Sequence, residues 1–241
     1  LVNEGASAKV WIPTSGTLGN TWRDVPDPAN IDKWTTGLTA IGFDSGGDFN
    51  SFIETDISSM QGNNATAYIR IPFTIDSQEQ IDQMTALSLR MRYDDGFLAY
   101  INGTRVANDH ALFGASWASN AIGTQTDAEA VQFREFDISD HINKLQPGSN
   151  ILAIQGLNSI VSDDDFLIEP ILAASVPDGG NGSPRVKLYT GAFSLDKTGT
   201  INARTQSGET WSALTSAAFI VGTPADTSNL AVSEIHYRPF P

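Results

Sequence analysis

Apolar and polar residues alternate along much of the chain, in short runs separated by Gly, Asn, Asp and Pro. A period of two is typical of β-strands with one face in a core, and helical spacing is almost absent. Apolar side chains take every second position in residues 67–75 and again in 87–93. Arg70, Arg90 and Arg92 fall on the opposite faces of these strands. The pattern predicts an all-β fold, an antiparallel β-sandwich.

Further segments have the length and composition of core strands. They are residues 97–101, 130–138, 150–157 and 166–173. Residues 137–150 predict a short helical turn that ends at Pro147 and Gly148, before the next strand begins.

A turn-rich segment at residues 175–184 has the composition of a linker. We therefore expect one large β domain over residues 1–175 and a small second β module over 184–222, with too few strands to bury much surface alone. Residues 229–241 predict the first strand of a further, truncated domain. The sequence has no initiator Met and no charged-then-apolar leader, so we expect it to begin inside a longer precursor or after a cleaved signal.

Composition excludes several classes of site. The 241 residues are 40% hydrophobic, which is enough for a large core, and the absence of cysteine excludes disulfides, thiolate zinc sites and a cysteine nucleophile. A net charge of −14 argues against nucleic acid and anionic lipid as partners and favours hard cations such as calcium. No segment approaches the roughly 20 apolar residues that a membrane span needs.

Two stretches carry a resemblance to a known family. Residues 90–107, with Asp-Asp-Gly-Phe and an Asn-Gly turn, and residues 150–158 resemble galactose-binding-like jelly rolls. These are carbohydrate-binding-module-like accessory domains of large secreted proteins of planctomycete-like and verrucomicrobia-like bacteria. The resemblance spans roughly residues 8–173. It implies an eight-stranded antiparallel sandwich that often holds a structural calcium, binds carbohydrate through its loops and has no catalytic role.

The end of the chain resembles other modules of such proteins. Residues 200–221 resemble the end of a fibronectin-III-like, chitobiase-C-terminal-type module, and residues 229–241 resemble the opening of a lamin-tail domain. The resemblance implies covalently linked further domains in the parent chain.

Three acidic segments follow or interrupt the predicted strands and are candidate metal sites. Their candidate ligands are Asp94 and Asp95; Asn158, Asp163 and Asp164, within the acidic run 162–165; and Asp44 and Asp48, with Glu54 nearby. Carboxylate and amide oxygens are the ligands that calcium prefers. The Asp-Asp-Gly pattern also resembles sugar-binding adhesin domains of the anthrax protective-antigen type, in which an aspartate pair holds calcium. The alternative for each segment is a solvated or turn-capping role, and Gly96 suits a tight turn.

Trp117 is the candidate sugar platform. It lies in the polar loop 108–120, where no strand pattern buries it, and an indole face stacks on the apolar face of a pyranose. The candidate hydroxyl partners are Asn108, Asp109, His110 and Asp95. The alternative is that Trp117 closes one end of the sandwich. The tryptophans expected to pack in the interior are Trp11, Trp22 and Trp34.

The sequence predicts a secreted, non-catalytic module that binds an oligo- or polysaccharide through its loops with calcium support. No nucleophile elbow and no His–acid pair at a recognisable spacing is present, so we do not expect an enzyme. The alternative function is a structural or adhesive spacer that calcium only stabilises. An exposed Trp117 beside acids favours the binding module, and a buried one favours the spacer.

Overall fold

The structure is a computed structural model. It describes residues 1–176, 199–203, 205–207, 210–211 and 215–219. Contacts divide the chain into two units, Leu1–Arg185 and Val186–Pro241. The predicted strand at 229–241 and most of the predicted linker lie outside the described residues, and the domain assignments stay predictions.

The first unit is a sandwich of two sheets. Its strands are β1 (Ser7–Trp11), β2 (Thr35–Leu38), β3 (Ile41–Asp44), β4 (Thr55–Asp56), β5 (Thr66–Ile75), β6 (Ala86–Asp94), β7 (Gly96–Ile101), β8 (Thr104–Asp109), β9 (Arg134–Asp137), β10 (Gly148–Leu157) and β11 (Asp165–Ser175). One sheet has six strands in the order β2-β1-β5-β10-β7-β8, and the other has five in the order β4-β3-β11-β6-β9. The all-β sandwich is confirmed. It has more than the eight strands implied by the resemblance, and β3 and β4 are parallel.

The main core lies between the two sheets. Strand β5 turns its predicted apolar face inward, from Ala67 to Ile75, and β6 does the same from Leu87 to Tyr93. Each buried Ile or Leu contributes about 1.5–3 kcal/mol relative to an exposed position. The alternation predicted from the sequence therefore corresponds to the real division between core and outer face.

A second apolar layer covers the outer face of the six-stranded sheet. Trp22 and Trp34 are buried there, as predicted, and Trp11 is partly buried beside them. Arg70, also on this face, is only 1% exposed. Its Nη1 donates to the carbonyl oxygens of Trp22 at 2.6 Å and Asp24 at 2.8 Å. A face that simple alternation leaves to solvent is thus covered by the segment between β1 and β2.

Helices are short. The α-helices are α1 (Gln78–Asp82) and α2 (Asp127–Ala130), and the 3₁₀-helices are Thr21–Arg23, Ile31–Lys33, Ser58–Met60 and Ser139–Lys144. The last of these confirms the helical turn predicted within 137–150. No helix among the described residues is long and apolar enough to span a membrane.

The strand predicted over 130–138 is partly wrong. Helix α2 includes Ala130, and only β9 is extended. The reason is a capping box in which Glu129 accepts hydrogen bonds from both the backbone N–H and the hydroxyl of Thr126.

The second unit is described only in part. It has two antiparallel pairs: β12 (Gly199–Ala203) with β15 (Thr215–Phe219), and β13 (Gln206–Ser207) with β14 (Thr210–Trp211).

The Asp94–Asp95–Gly96 segment is where the chain crosses from one sheet to the other. Strand β6 belongs to the five-stranded sheet and β7 to the six-stranded sheet. A Cβ on Gly96 would lie 2.9 Å from the carbonyl oxygen of His110 and 3.0 Å from that of Asp109. The glycine is required by this close approach and not, as predicted, by a turn conformation, since Gly96 is not among the residues with positive φ.

Candidate functional site

The three predicted acidic segments meet in one cleft at an end of the five-stranded sheet. Strand β11 lies between β3 and β6 and is antiparallel to both, so its first residues lie beside the last residues of those strands: Asp165 is opposite Asp44, and Leu167 is opposite Asp94. The cleft has a volume of about 320 Å³. It is lined by Asp44, Gly46, Asp48, Asp94, Asp95, Thr124, Gln125, Asp127, Ser159, Asp163, Asp164 and Asp165. Aspartates make up most of this lining, and no cationic side chain is part of it.

Asp94 is one of the two buried acids of the cleft, with 3% of its surface exposed against 4% for Asp95. Its side-chain hydrogen-bonding partners are two other carboxyl groups, those of Asp165 and Asp95. Burial, followed by the negative charges of Asp95 and Asp165, raises the pKa of Asp94 to about 9. Without a cation, this carboxyl group therefore keeps its proton at neutral pH.

Asp165 is the second acid of the cleft with a raised pKa. Burial, together with the charges of Asp163, Asp127 and Asp164, raises the pKa of Asp165 to about 6, and its hydrogen bond with Asp94 opposes the rise. Two carboxyl groups in contact need either a proton or a cation between them. A proton or a cation between Asp94 and Asp165 would therefore stabilise the floor of the cleft.

Asp95 fastens two loops. Its Oδ1 accepts the backbone N–H of Gln125 at 3.0 Å, and its Oδ2 accepts that of Ser159 at 2.8 Å. Both oxygens are thus engaged by the loop after β8 and the loop after β10. Asp95 was predicted as a metal and sugar ligand, and the structure gives it the turn-capping role that was the alternative.

Asp44 has a similar role. It accepts backbone N–H groups from Gly46 at 2.6 Å, Gly47 at 2.8 Å and Phe49 at 2.6 Å, and it thereby closes its own loop. Asp48 is exposed and lines the cleft, as expected of a ligand at its mouth. Glu54 is exposed and is not part of the lining, so it does not join Asp44 and Asp48 at the cleft.

The third segment brings three carboxylates together. Oxygens of Asp163, Asp164 and Asp165 all lie within 4.8 Å of one another. Calcium–oxygen distances of about 2.3–2.6 Å allow oxygens at this spacing to surround one ion. Asp163 also accepts a hydrogen bond from the Ser159 hydroxyl. Predicted here from residue type alone, the cluster has the spacing that a hard cation requires.

Asn158 supports this segment from below. It is 2% exposed, and its Nδ2 donates to the carbonyl oxygen of Asp165 at 2.8 Å. Its Oδ1 is buried without a partner among the described residues, and the residue does not line the cleft. Asn158 therefore positions the start of β11, whereas the sequence predicted a metal ligand.

Trp117 lies away from the acids. Its indole is partly buried, packs on the apolar layer that contains Trp22, and lies against Gly16, whose added Cβ would be 3.0 Å from the indole Cδ1. The Asn64 amide donates to its carbonyl oxygen at 2.9 Å. Trp117 does not line the cleft. This placement is closer to the predicted alternative, in which Trp117 closes one end of the sandwich, than to a sugar platform.

The other predicted sugar ligands do not converge. Strand β8 continues to Asp109, so Asn108 lies opposite Leu98 on the outer face and Asp109 lies opposite Phe97 on the inner face. Asp109 accepts the Tyr93 hydroxyl at 2.5 Å and forms an ion pair with Arg134. The sequence predicted a loop over these residues. In the strand that forms instead, successive side chains point to opposite faces of the sheet, so Asn108 and Asp109 point away from each other.

His110 lies closer to the site without entering its lining. Its Nδ1 is 3.0 Å from the carbonyl oxygen of Asp95, so the ring braces the crossover between the sheets.

Nothing in the sequence marks Asp127 as a metal ligand. This residue follows Thr126, the N-cap of α2, and lines the cleft. The Thr-x-x-Glu capping box marks a helix start in the sequence, but only the tertiary fold places that start beside β11.

No known protein family matches this chain. No curated protein matches it either. Among solved structures, a β-glucuronidase of an uncultured Clostridium species is similar with a TM-score of 0.39 and 14% identity, over 66% of this chain and 22% of that one. The β-glucuronidase of Ruminococcus gnavus in complex with D-glucuronic acid gives 0.37 and 15%, over 64% and 21%.

A β-glycosidase of Bacteroides vulgatus gives a TM-score of 0.38 and 14% identity, over 73% of this chain and 20% of that one. The chain thus spans about a fifth of the length of these three proteins. Because the TM-scores lie below 0.5, the function proposed below rests on the geometry of the cleft.

Proposed function

We propose that the sandwich is a non-catalytic carbohydrate-binding module whose acidic cleft holds calcium. The observation that carries this proposal is Asp94, a buried carboxyl group on the cleft floor whose side-chain partners are the carboxyl groups of Asp95 and Asp165. An uncompensated buried charge costs several kcal/mol, and a bound cation removes that cost.

The donor set fits calcium. Asp94, Asp165 and Asp164 supply oxygens at the cleft, and Asp48 and Asp127 add carboxylates from other loops. Asp95 and Asp44 hold the surrounding loops through backbone N–H groups. No histidine of the described residues lines the cleft, and all-oxygen donors select calcium over zinc. When bound, calcium would supply positive charge and coordination positions open to a ligand.

Carbohydrate suits such a site because adjacent sugar hydroxyls are neutral oxygen ligands. The loops that contribute Thr124 and Ser159 to the lining also carry Ile122, which is 61% exposed, and Ile160, which is 53% exposed. Apolar surface beside a polar centre suits the two-sided character of a sugar ring. A site of this kind works outside the cell or on its surface, because extracellular calcium modules have dissociation constants of about 10⁻⁴–10⁻³ M.

The alternative is a structural spacer in which calcium only stabilises the fold. The position of Trp117 favours it, since the one tryptophan that was expected beside the acids packs elsewhere. In this function the ion joins the ends of β3 and β6 to the start of β11 and leaves no role for sugar.

Calcium titration calorimetry on the wild type, Asp94→Asn and Asp140→Asn tests the shared step. Asp140 is the matched control because it is an exposed aspartate that does not line the cleft. Binding that Asp94→Asn abolishes and Asp140→Asn leaves intact supports the site. Absence of calcium binding to the wild type overturns both functions.

A glycan array with calcium and with chelator then separates the two functions. Calcium-dependent glycan binding that Asp94→Asn abolishes supports the binding module. Calcium binding with a raised melting temperature, and no glycan bound in either buffer, supports the spacer.

A further inference from the structure

Several hydrogen-bond donors without partners among the described residues lie on the outer face of the six-stranded sheet, over strands β5, β7 and β8. We call it the arginine–tyrosine patch, and its residues are Arg23, Tyr68, Tyr100, Arg105 and Phe113. Tyr100 and Arg105 are direct cross-strand partners. Arg23 reaches the same place from the segment that covers the sheet.

Aromatic rings hold both guanidinium groups in place. The Cζ of Arg23 lies 4.5 Å from the ring centre of Tyr100, and the Cζ of Arg105 lies 4.0 Å from that of Phe113. Phe113 is nevertheless 71% exposed. A large apolar ring that is mostly in solvent and stacked on one arginine offers a free face to a ligand.

The donors of the patch have no partners in the described part of the chain. The ion pairs found there use Arg70, Arg92 and Arg134. The Nε of Arg23 is buried and unpartnered. Burial raises the pKa of Tyr68 and of Tyr100, and the charge of Arg23 opposes that rise in both, which shows that the guanidinium lies near each hydroxyl.

The nearest acid does not neutralise the patch. A carboxylate oxygen of Asp24 accepts the backbone N–H of Val25 at 2.7 Å, and Asp24 lies against Gly103. It forms no ion pair with Arg23 or Arg105 among the residues described. Arg23 and Arg105 share this lack of an ion pair with Arg90, but they differ from Arg90 in that both lie beside Tyr100 on one face of the sheet.

Guanidinium groups match carboxylates, since their planar N–H donors pair with both oxygens. Tyr68 and Tyr100 are only 3% and 4% exposed, so the groups of the patch that face a ligand are the two guanidinium groups and Phe113, which adds an apolar surface for a ring. We propose that the arginine–tyrosine patch binds the carboxylate of an acidic sugar residue. That the carboxylate belongs to a sugar rests on the proposed function, whereas the anion site itself is independent of calcium.

The test measures binding of trigalacturonate by titration calorimetry at low ionic strength, with chelator present so that the acidic cleft plays no part. The variants are Arg105→Gln and Phe113→Ala. The matched control is Arg90→Gln. The Cζ of Arg90 also lies over a phenylalanine ring, 4.7 Å from the ring centre of Phe133, but Arg90 belongs to the other sheet. Neutral trigalactose and a tetraglutamate peptide are the ligand controls.

We expect trigalacturonate to bind the wild type and Arg90→Gln equally, and Arg105→Gln about tenfold or more weakly, as for the loss of a charge-assisted hydrogen bond. Phe113→Ala should weaken binding several-fold, and trigalactose should not bind. No binding of trigalacturonate to the wild type, or equal losses in Arg90→Gln and Arg105→Gln, overturns the patch. Equal binding of tetraglutamate overturns its assignment to a sugar. None of these outcomes changes the result of the calcium titration.

Discussion

Asp94 makes a prediction about stability in the absence of metal. Its pKa is raised from 3.8 to about 9 in the folded protein. A raised pKa means that the stabilisation is complete at low pH, below the ordinary carboxyl range, and is lost as pH rises toward the folded value. In chelator, the free energy of unfolding should therefore fall as the pH increases from about 4 to about 9.

The magnitude follows from counting protons. Between about pH 5 and 8 the unfolded chain has this carboxyl group ionised and the folded chain has it protonated, so folding takes up one proton. One proton corresponds to about 1.4 kcal/mol per pH unit, which gives a loss of about 4 kcal/mol over this interval. Asp165, with its pKa raised to about 6, steepens the acidic part of the curve in the same direction.

Asp94→Asn should remove the slope above pH 6. The amide resembles the protonated acid: it is neutral, and its N–H can donate to Asp165 as the carboxyl proton does. The variant should therefore match the wild type near pH 5 and be more stable than it at pH 8 in chelator. Urea unfolding followed by tryptophan fluorescence measures this, because Trp22 is fully buried. Asp140→Asn is the control and should keep the wild-type slope. A pH-independent wild type, or an Asp94→Asn variant with an unchanged slope, would refute the reasoning.

Further predictions concern the ion, the crossover and the covering segment. Calcium at about 100 times its dissociation constant should add about 2.7 kcal/mol, or roughly 5–10 °C in Tm by differential scanning fluorimetry, and Asp94→Asn should lose this rise. Gly96→Ala should destabilise by about 1–3 kcal/mol in urea, because its Cβ meets two backbone carbonyl oxygens, whereas Gly114→Ala, with nothing within 4 Å, should be close to neutral. Arg70→Met should cost about 2–4 kcal/mol, because the carbonyl oxygen of Trp22 loses a charged donor at 2.6 Å; unchanged urea unfolding would contradict this.

The sequence predicted the fold well wherever one face of a strand meets the core. Alternation in residues 67–75 identified both the strand and its inward face. It could not show that the opposite face, with Arg70, is covered as well, since that depends on where the segment between β1 and β2 lies. The same limit applies to Trp117, which packs on that second layer.

The candidate site was predicted as three separate acidic segments. Their meeting in one cleft depends on β11 lying between β3 and β6, and no local pattern encodes that order. Residue type also could not distinguish the acids that cap backbone N–H groups, Asp95 and Asp44, from Asp94, which has carboxyl partners. That distinction requires hydrogen-bond geometry, which the residue types in the sequence do not contain.

The fold explains the acids that cap backbone groups, but it does not explain Asp94. Backbone N–H groups in loops have no sheet partners, and Asp95 accepts two of them, from Gln125 and Ser159. Asp94 satisfies no such group, and above mildly acidic pH its burial beside Asp95 and Asp165 opposes folding. A neutral residue would suit the fold alone better. Local violations of this kind are expected where a site binds something, and the cation that we propose for this oxygen-lined cleft would account for the violation.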